Sequence, residues 1–418
     1  MSTATVVVLG TCDTKLEELV FLRERILENP QVKVLLMDVG RGETDSEHIT
    51  VTRTELVRRY GNGKSPSDLP RGQLIRFMSD CASKAIKELY DAGEIHGIVT
   101  AGGSGGTSLA APVMRDVLPI GFPKLIVSTI ASGDTGPIVG ETDIAMLYSV
   151  VDVAGLNQVL RDILSNAGAF IAAAAASFAN RTRQAPASSV GSPKKRIGIT
   201  MFGVTTPGVD AIRKHLDTKG GIETYVFHAT GHGGKSMERL VREGALDAVL
   251  DLTTTEICDL LNGGNMSAGP DRLNAAAEAG VPYLVSLGAT DMTNFGPRNT
   301  VPEKYKDRLL YEHNPVVTLM RSSEEECRHV GQFISTKLKR FAKRHELVQV
   351  WIPRGGVSMI STPGAPFADP EADEALFSAV RAGLERTGIE VIDDPRDVND
   401  AGFARDIAEA LLAKMSLV

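Results

Sequence analysis

Cysteine is scarce and unpaired: Cys12, Cys81, Cys258 and Cys327 lie far apart and no C-x-x-C element joins any two. That spacing signals neither a disulfide framework nor a thiolate metal site, and the thiols are expected to be reduced. Long hydrophobic runs are also missing. Val6-Val7-Val8-Leu9 is too short for a membrane span or a signal-peptide core, and no basic stretch precedes it. The Ala-rich stretch 167–179 falls short of the roughly 20 residues a span needs and reads as a buried helix. The expectation is a cytoplasmic protein that makes no use of a membrane. Nor is there an excess of positive charge: 45 Lys and Arg against 52 Asp and Glu leave a net charge of -7, which excludes gripping nucleic acid through the overall field. Any small anionic ligand must then be held by local geometry.

What is present is an ordinary globular balance, 43% hydrophobic and 23% charged, over 418 residues, a length that favours two domains over one. Short runs rich in Val, Ile and Leu alternate with segments of helical period, the pattern of parallel strands covered on both faces. Strands are expected at 5–9, 33–38, 97–100 and 124–128, with helices at 15–27, 73–92, 108–117 and 156–179. Residues 182–195, with Gln, Pro, Ser and Gly and no apolar period, read as a linker. The alternation then restarts, with strands at 196–200, 223–227, 248–251, 282–285, 316–319, 349–352 and 390–392. Helices follow at 208–218, 236–243, 272–279, 324–344, 370–386 and 403–415. The reading is α/β: two Rossmann-like wound parallel-sheet domains, 1–181 and 196–418, joined by that linker.

In such sheets ligands bind beyond the carboxyl ends of the strands. There the run Gly102, Gly103, Ser104, Gly105, Gly106, Thr107 leads from a strand toward a helix. Glycines let backbone N–H groups crowd round an anion, and Ser104 or Thr107 adds a hydroxyl, so phosphate is the expected guest; a tight structural turn is the alternative. The turn after 124–128, with Thr129, Ala131, Ser132 and Gly133, is placed to line the same pocket. At the first strand's end Thr11, Asp13, Thr14 and Lys15 open a helix, Asp13 as a cap and Lys15 as a phosphate partner or a solvated charge. Asp38, before Arg41, suits a ribose, but no G-x-G-x-x-G fingerprint marks the first turn, which argues against a nicotinamide dinucleotide.

The motifs Leu9-Gly10-Thr11-Cys12-Asp13-Thr14-Lys15, Gly102-Gly103-Ser104-Gly105-Gly106-Thr107-Ser108-Leu109 and Ser128-Thr129-Ile130-Ala131-Ser132-Gly133 resemble the tomato mosaic virus resistance protein family over nearly the whole chain. That family's ATP-binding region is two Rossmann-like subdomains. The resemblance implies Mg-ATP in the first domain, on Asp13, Thr14, Lys15, Gly103 to Thr107 and the loop around Ser132-Gly133. Plant members carry a barrel domain after this region, and the chain is expected to lack it, so the antiviral role is not carried over.

The second domain has a rival. His228-Ala229-Thr230-Gly231-His232-Gly233-Gly234-Lys235-Ser236 nearly spells a Walker-type loop, with Asp251 on the next strand as a magnesium-orienting carboxylate. Gly231, Gly233, Gly234, Lys235 and Ser236 thus form a second candidate anion site, with a plain turn as the alternative. His232 and Glu256 are candidates for acid-base work; two histidines four apart in a glycine loop share no helix face, so no metal site is expected. Residues 288–314 look like one long aperiodic loop, of the kind that serves as a lid, a partner surface or a binding loop. Three functions remain open: an ATP-binding protein whose nucleotide controls domain arrangement or assembly, expected as a homo-oligomer; an enzyme using ATP on a small-molecule second ligand in the second domain; or a purely structural oligomer with vestigial loops.

Overall fold

The computed structural model describes residues 3–64, 66, 69–184 and 194–416. The chain divides into two compact units, Met1–Ser188 and Ser189–Val418. Most of the expected linker, 185–193, lies outside the described residues, while 182–184 continue a helix and Lys195 already begins a strand.

In the first unit β1 (Ala4–Gly10), α1 (Cys12–Leu27), β2 (Val32–Asp38), α2 (Arg53–Tyr60), α3 (Arg71–Asp91), β3 (Gly97–Gly102), α4 (Ser104–Val117), β4 (Lys124–Ser128), α5 (Gly136–Val139), β5 (Ala145–Tyr148) and α6 (Gln158–Gln184) follow one another. All five strands are parallel, in the order β2-β1-β3-β4-β5. Side chains alternate across the sheet. Val7, Leu9 and Ile98 pack on one face beneath α3 and α4, while Val6, Val8 and Val99 pack on the other beneath α1 and α6. Covered on both faces, the strands need continuous apolar runs, which is why they stand out in the sequence. The stretch 167–179 does lie on a helix with a buried face, through Leu160, Leu164, Ala167, Ile171 and Ala175. That helix is longer than expected, because its polar flanks keep helical form. By length and composition it is the one described helix able to cross a membrane.

The second unit contains β6 (Lys195–Met201), α7 (Thr206–Asp217), β7 (Ile222–His228), α8 (His232–Arg242), β8 (Ala248–Thr253), α9 (Glu256–Asn262), α10 (Asn274–Ala279), β9 (Tyr283–Gly288), β10 (Met292–Phe295), β11 (Leu310–Asn314), β12 (Val317–Arg321), α11 (Glu324–Phe341), β13 (Val348–Pro353), α12 (Pro370–Leu384), β14 (Glu390–Asp394) and α13 (Ala401–Met415). Six strands form a parallel sheet, β14-β13-β9-β8-β6-β7. The stretch 288–314 is not a loop: with β12 it builds a separate antiparallel sheet, β10-β12-β11. The strand expected at 316–319 therefore belongs to this insert and not to the parallel sheet.

Candidate functional site

Strand order in the first unit reverses between β1 and β3, and at such a switch point the loops diverge and leave a crevice beyond the carboxyl ends. A cleft of about 600 Å³ opens there. Thr11, Asp13, Thr14, Lys15, Arg41, Gly102, Gly103, Ser104, Gly105, Gly106 and Thr129 line it, so most of the residues selected from the sequence meet in one place. Ala131, Ser132 and Gly133 are not among its lining residues.

The glycine segment is less a loop than a helix start. β3 ends at Gly102 and α4 begins at Ser104, with Gly103 as an N-cap that offers no side chain. The N–H groups of Ser104, Gly105 and Gly106 occupy the first turn, where a helix has no internal acceptor for them. Thr107 does not turn its hydroxyl to the cleft; buried, it donates to the Gly103 carbonyl (2.9 Å) and lies 2.7 Å from Ser128 Oγ, tying the turn to β4.

The acidic residues also serve the scaffold. Asp13 does not cap α1; its Oδ2 accepts the N–H groups of Arg41 and Gly42, both at 2.9 Å, and so holds the β2 turn against the first turn. Asp38, the expected ribose partner, is buried and accepts the N–H groups of Cys12 (3.0 Å) and Gly40 (2.9 Å). Burial raises its pKa, against those two donors. The Lys15 ammonium donates to the Val153 carbonyl, while Glu18 Oε1 accepts from Gly155 N at 2.6 Å, so α1 pins the segment that carries Asp152 at the cleft. Burial, with the neighbouring Asp38, pushes the Cys12 thiol far up and disfavours its thiolate.

Sequence reasoning missed Arg71, Leu74, Ile75, Leu109 and Asp152 in the lining. Arg71, Leu74 and Ile75 come from α3, some thirty residues before the glycine segment and marked by no motif; only the packing of α3 beside α4 brings them in. They add a guanidinium and an apolar wall.

The glycine segment of the second unit is built differently. Gly231 has φ 94°, and α8 begins at His232. A Cβ on Gly233 would lie 1.8 Å from the His228 carbonyl oxygen, and one on Gly234 would lie 2.0 Å from Glu256 Oε2. The anion that the segment invites is already there: Glu256 Oε1 accepts the N–H groups of Gly231 (2.7 Å) and Gly234 (3.0 Å). Glu256 Oε2 accepts from Arg272 Nε at 2.8 Å. Arg272 in turn grips Asp251 through two donors, at 2.5 and 2.6 Å, and Asp251 also accepts from Tyr283 (3.0 Å) and Thr200 (2.7 Å). Glu256, Asp251 and Arg272 are all buried. Burial raises the Glu256 pKa, and the Arg272 charge opposes it. The second candidate anion site is thus filled by the chain's own carboxylate, with Lys235 and Ser236 following in α8. Asp251 and Glu256 belong to a buried ion cluster centred on Arg272. His232 lies at the surface, on the first turn of α8. Among the described residues no group of three His, Cys, Asp or Glu side chains is placed to hold a metal.

Two α/β units, each a parallel sheet wound about a reversal of strand order, define a two-unit Rossmann-like protein. The chain belongs to the uncharacterised protein family UPF0261: residues 4–180 match its N-terminal domain and residues 194–415 its C-terminal domain. A UPF0261 protein of Clostridium tetani is 42% identical over 414 residues, covering 98% of each chain. One of Rhizobium meliloti is 44% identical over 410 residues, covering 96% of this chain and 98% of its own. The ToMV resistance protein Tm-1(GCR237) of Solanum lycopersicum is 39% identical over 424 residues, which cover 97% of this chain and 55% of that protein. Among solved structures, UDP-N-acetylglucosamine 2-epimerase from Rickettsia bellii aligns at a TM-score of 0.21 with 12% identity, covering 55% of this chain and 62% of that one. At that score the likeness carries no argument.

Proposed function

We propose that the first unit binds Mg-ATP in the cleft between β1 and β3, as a nucleotide-binding protein and not as a fast catalyst. One observation carries this reading: the glycines of the segment are not required by the fold. None of Gly102, Gly103, Gly105 and Gly106 has a positive φ. A Cβ on Gly106 would meet nothing within 4 Å, and one on Gly102 or Gly103 would meet its nearest atom at 3.7 Å. On Gly105 it would come within 3.1 Å only of the mobile end of Arg71. A protein-internal reason being absent at these positions, close approach of a ligand to the backbone supplies one.

In this reading the N–H groups of Ser104, Gly105 and Gly106 take the phosphates, with Arg41 and Arg71 as neutralising charges and Val39, Leu74, Ile75 and Leu109 as an apolar wall for the base. Magnesium, which keeps several waters, would take phosphate oxygens with one carboxylate, Asp13 or Asp152. ATP is the guest that the resemblance to the tomato mosaic virus resistance protein family implies. That Glu256 is buried and held by Gly231, Gly234 and Arg272 favours the binding reading over the enzyme reading. A reducing cytoplasm suits four buried, unpaired thiols.

Titration calorimetry of the full chain with Mg-ATP tests the site. Arg71→Ala is expected to weaken binding about tenfold, the loss of one charge-assisted contact, and Lys235→Ala to leave it unchanged. A large loss at Lys235 with none at Arg71 would move the nucleotide to the second unit and sink the proposal.

A further inference from the structure

We infer, on the premise that the first-unit cleft holds Mg-ATP, that residues 149–155 form a latch which Lys15 holds shut and which the phosphates open by drawing Lys15 away. The segment carries backbone strain. Val150 has φ 61°, a conformation in which a β-branched residue is a genuine outlier. The Val151 N–H donates to the Ser149 carbonyl at 2.6 Å, two residues back, which makes the bend a γ-turn of the rare positive-φ kind. Packing of the Val150 side chain does not offset this, since the residue is 60% exposed. Such a conformation persists only where the surroundings over-determine it. Here they act from both sides. Before the bend, buried Ser149 donates from its N–H to the Ser128 carbonyl (3.2 Å) and from its hydroxyl to the Val151 carbonyl (2.6 Å). After it, Lys15 donates to the Val153 carbonyl and Glu18 accepts the Gly155 N–H.

Both flanks of the bend reach the cleft. Ser128 Oγ lies 2.7 Å from the Thr107 hydroxyl at the start of α4, and Lys15 and Asp152 line the cleft themselves. Lys15 is the part able to move. Within α1 it has non-helical angles, φ -137° and ψ 23°, so it sits at a break between the first turn and the rest of the helix. Its ammonium is spent on an uncharged carbonyl. A phosphate oxygen adds a Coulomb attraction that a carbonyl does not supply, so the nucleotide competes for Lys15. That gives the ligand a differential affinity for the released state, which is what shifts an equilibrium. With the donor gone, the Val153 carbonyl loses its tether and Val150 returns to negative φ. Glu18 still holds Gly155, and Val153 stays packed in the core, so the release is confined to the bend. The bend lies at the surface beside exposed Tyr148. Occupancy of the cleft is thereby turned into a change of outer surface.

Hydrogen exchange of the full chain, read by mass spectrometry beside calorimetry, tests the latch. Saturating Mg-ATP is expected to slow exchange at residues 104–106 and to speed it about tenfold at 150–153, the opposite of the protection that a merely structural segment beside a filled cleft would gain. Lys15→Met is expected to show the fast exchange at 150–153 without nucleotide, and no further rise with it. Val150→Gly removes the strain of the shut state, because glycine takes a positive φ at no steric cost, and is expected to shrink the rise that Mg-ATP induces. Calorimetric binding with exchange at 150–153 unchanged or slowed would overturn the latch and leave the nucleotide site standing. So would a Lys15→Met protein that exchanges like the unaltered chain, or a rise undiminished in Val150→Gly. Absence of calorimetric binding would instead sink the nucleotide site, and the latch with it.

Discussion

A methyl group on Gly106 would find open space, whereas one on Gly234 would land on Glu256. The two substitutions should therefore fail in opposite ways. Gly106→Ala places a better helix former in the first turn of α4 and is expected to raise thermal stability slightly, by roughly 0.5 kcal/mol. Its Cβ stands where a phosphate would approach the backbone, so Mg-ATP affinity is expected to fall about tenfold or more. Gly234→Ala is expected to destabilise the second unit by at least about 2 kcal/mol, through overpacking against a buried carboxylate, and to leave nucleotide affinity alone. Thermal melts and calorimetry on the same two proteins decide it. If Gly106→Ala binds as well as the unaltered chain, the glycines have no ligand to serve. Glu256→Gln is expected to cost about 3–5 kcal/mol by stripping a buried partner from Arg272.

At the scale of elements, α9 and β10 show where sequence reasoning stops. Asp259 on α9 accepts Asn294 N at 2.5 Å and Asn294 Nδ2 at 2.9 Å, and so hangs the antiparallel insert on the parallel core. Burial pushes its pKa up to about 7, against the donors from Asn294. A carboxyl raised on folding gives stability that is complete below its unfolded pKa near 4 and is lost as pH climbs through 7. Other carboxyls, such as Asp247 beside Arg196, shift the opposite way, so the informative quantity is a difference. Asp259→Asn is expected to gain on the unaltered chain by about 1.4 kcal/mol per pH unit between pH 4 and 7, read by urea titrations; a pH-independent difference would contradict the shift. None of this was legible beforehand. Strands buried on both faces carry continuous apolar runs, so the parallel sheets could be located. β10 and β11 are four and five residues long and mix Thr, Asn, Glu and His with their apolar positions, and β10 pairs with β12 across more than twenty intervening residues. The first-unit cleft was largely legible because its lining follows strand ends. The filled nest at Gly231 was not, since Glu256 lies 25 positions away.

Over the whole molecule, one winding pattern appears twice with one feature reversed. In the first unit the helix-start N–H groups after a strand face a cleft; in the second, the chain's own carboxylate sits on them. The second unit has thus internalised the negative charge that the first is proposed to borrow. Trp351 is the only tryptophan and lies on β13, so its emission reports the second unit alone. A ligand present at a hundredfold its dissociation constant stabilises the unit it occupies by about 2.7 kcal/mol. Mg-ATP is therefore expected to raise the calorimetric transition of the first unit. If the nucleotide governs the arrangement of both units, the Trp351 transition must move with it, because coupling between sites is reciprocal and appears as a shared free energy. The proposed role in domain control predicts such a shift, of a few degrees, cut to about half by Arg71→Ala at the same ligand concentration. A calorimetric shift with Trp351 unmoved would leave binding intact and remove the control.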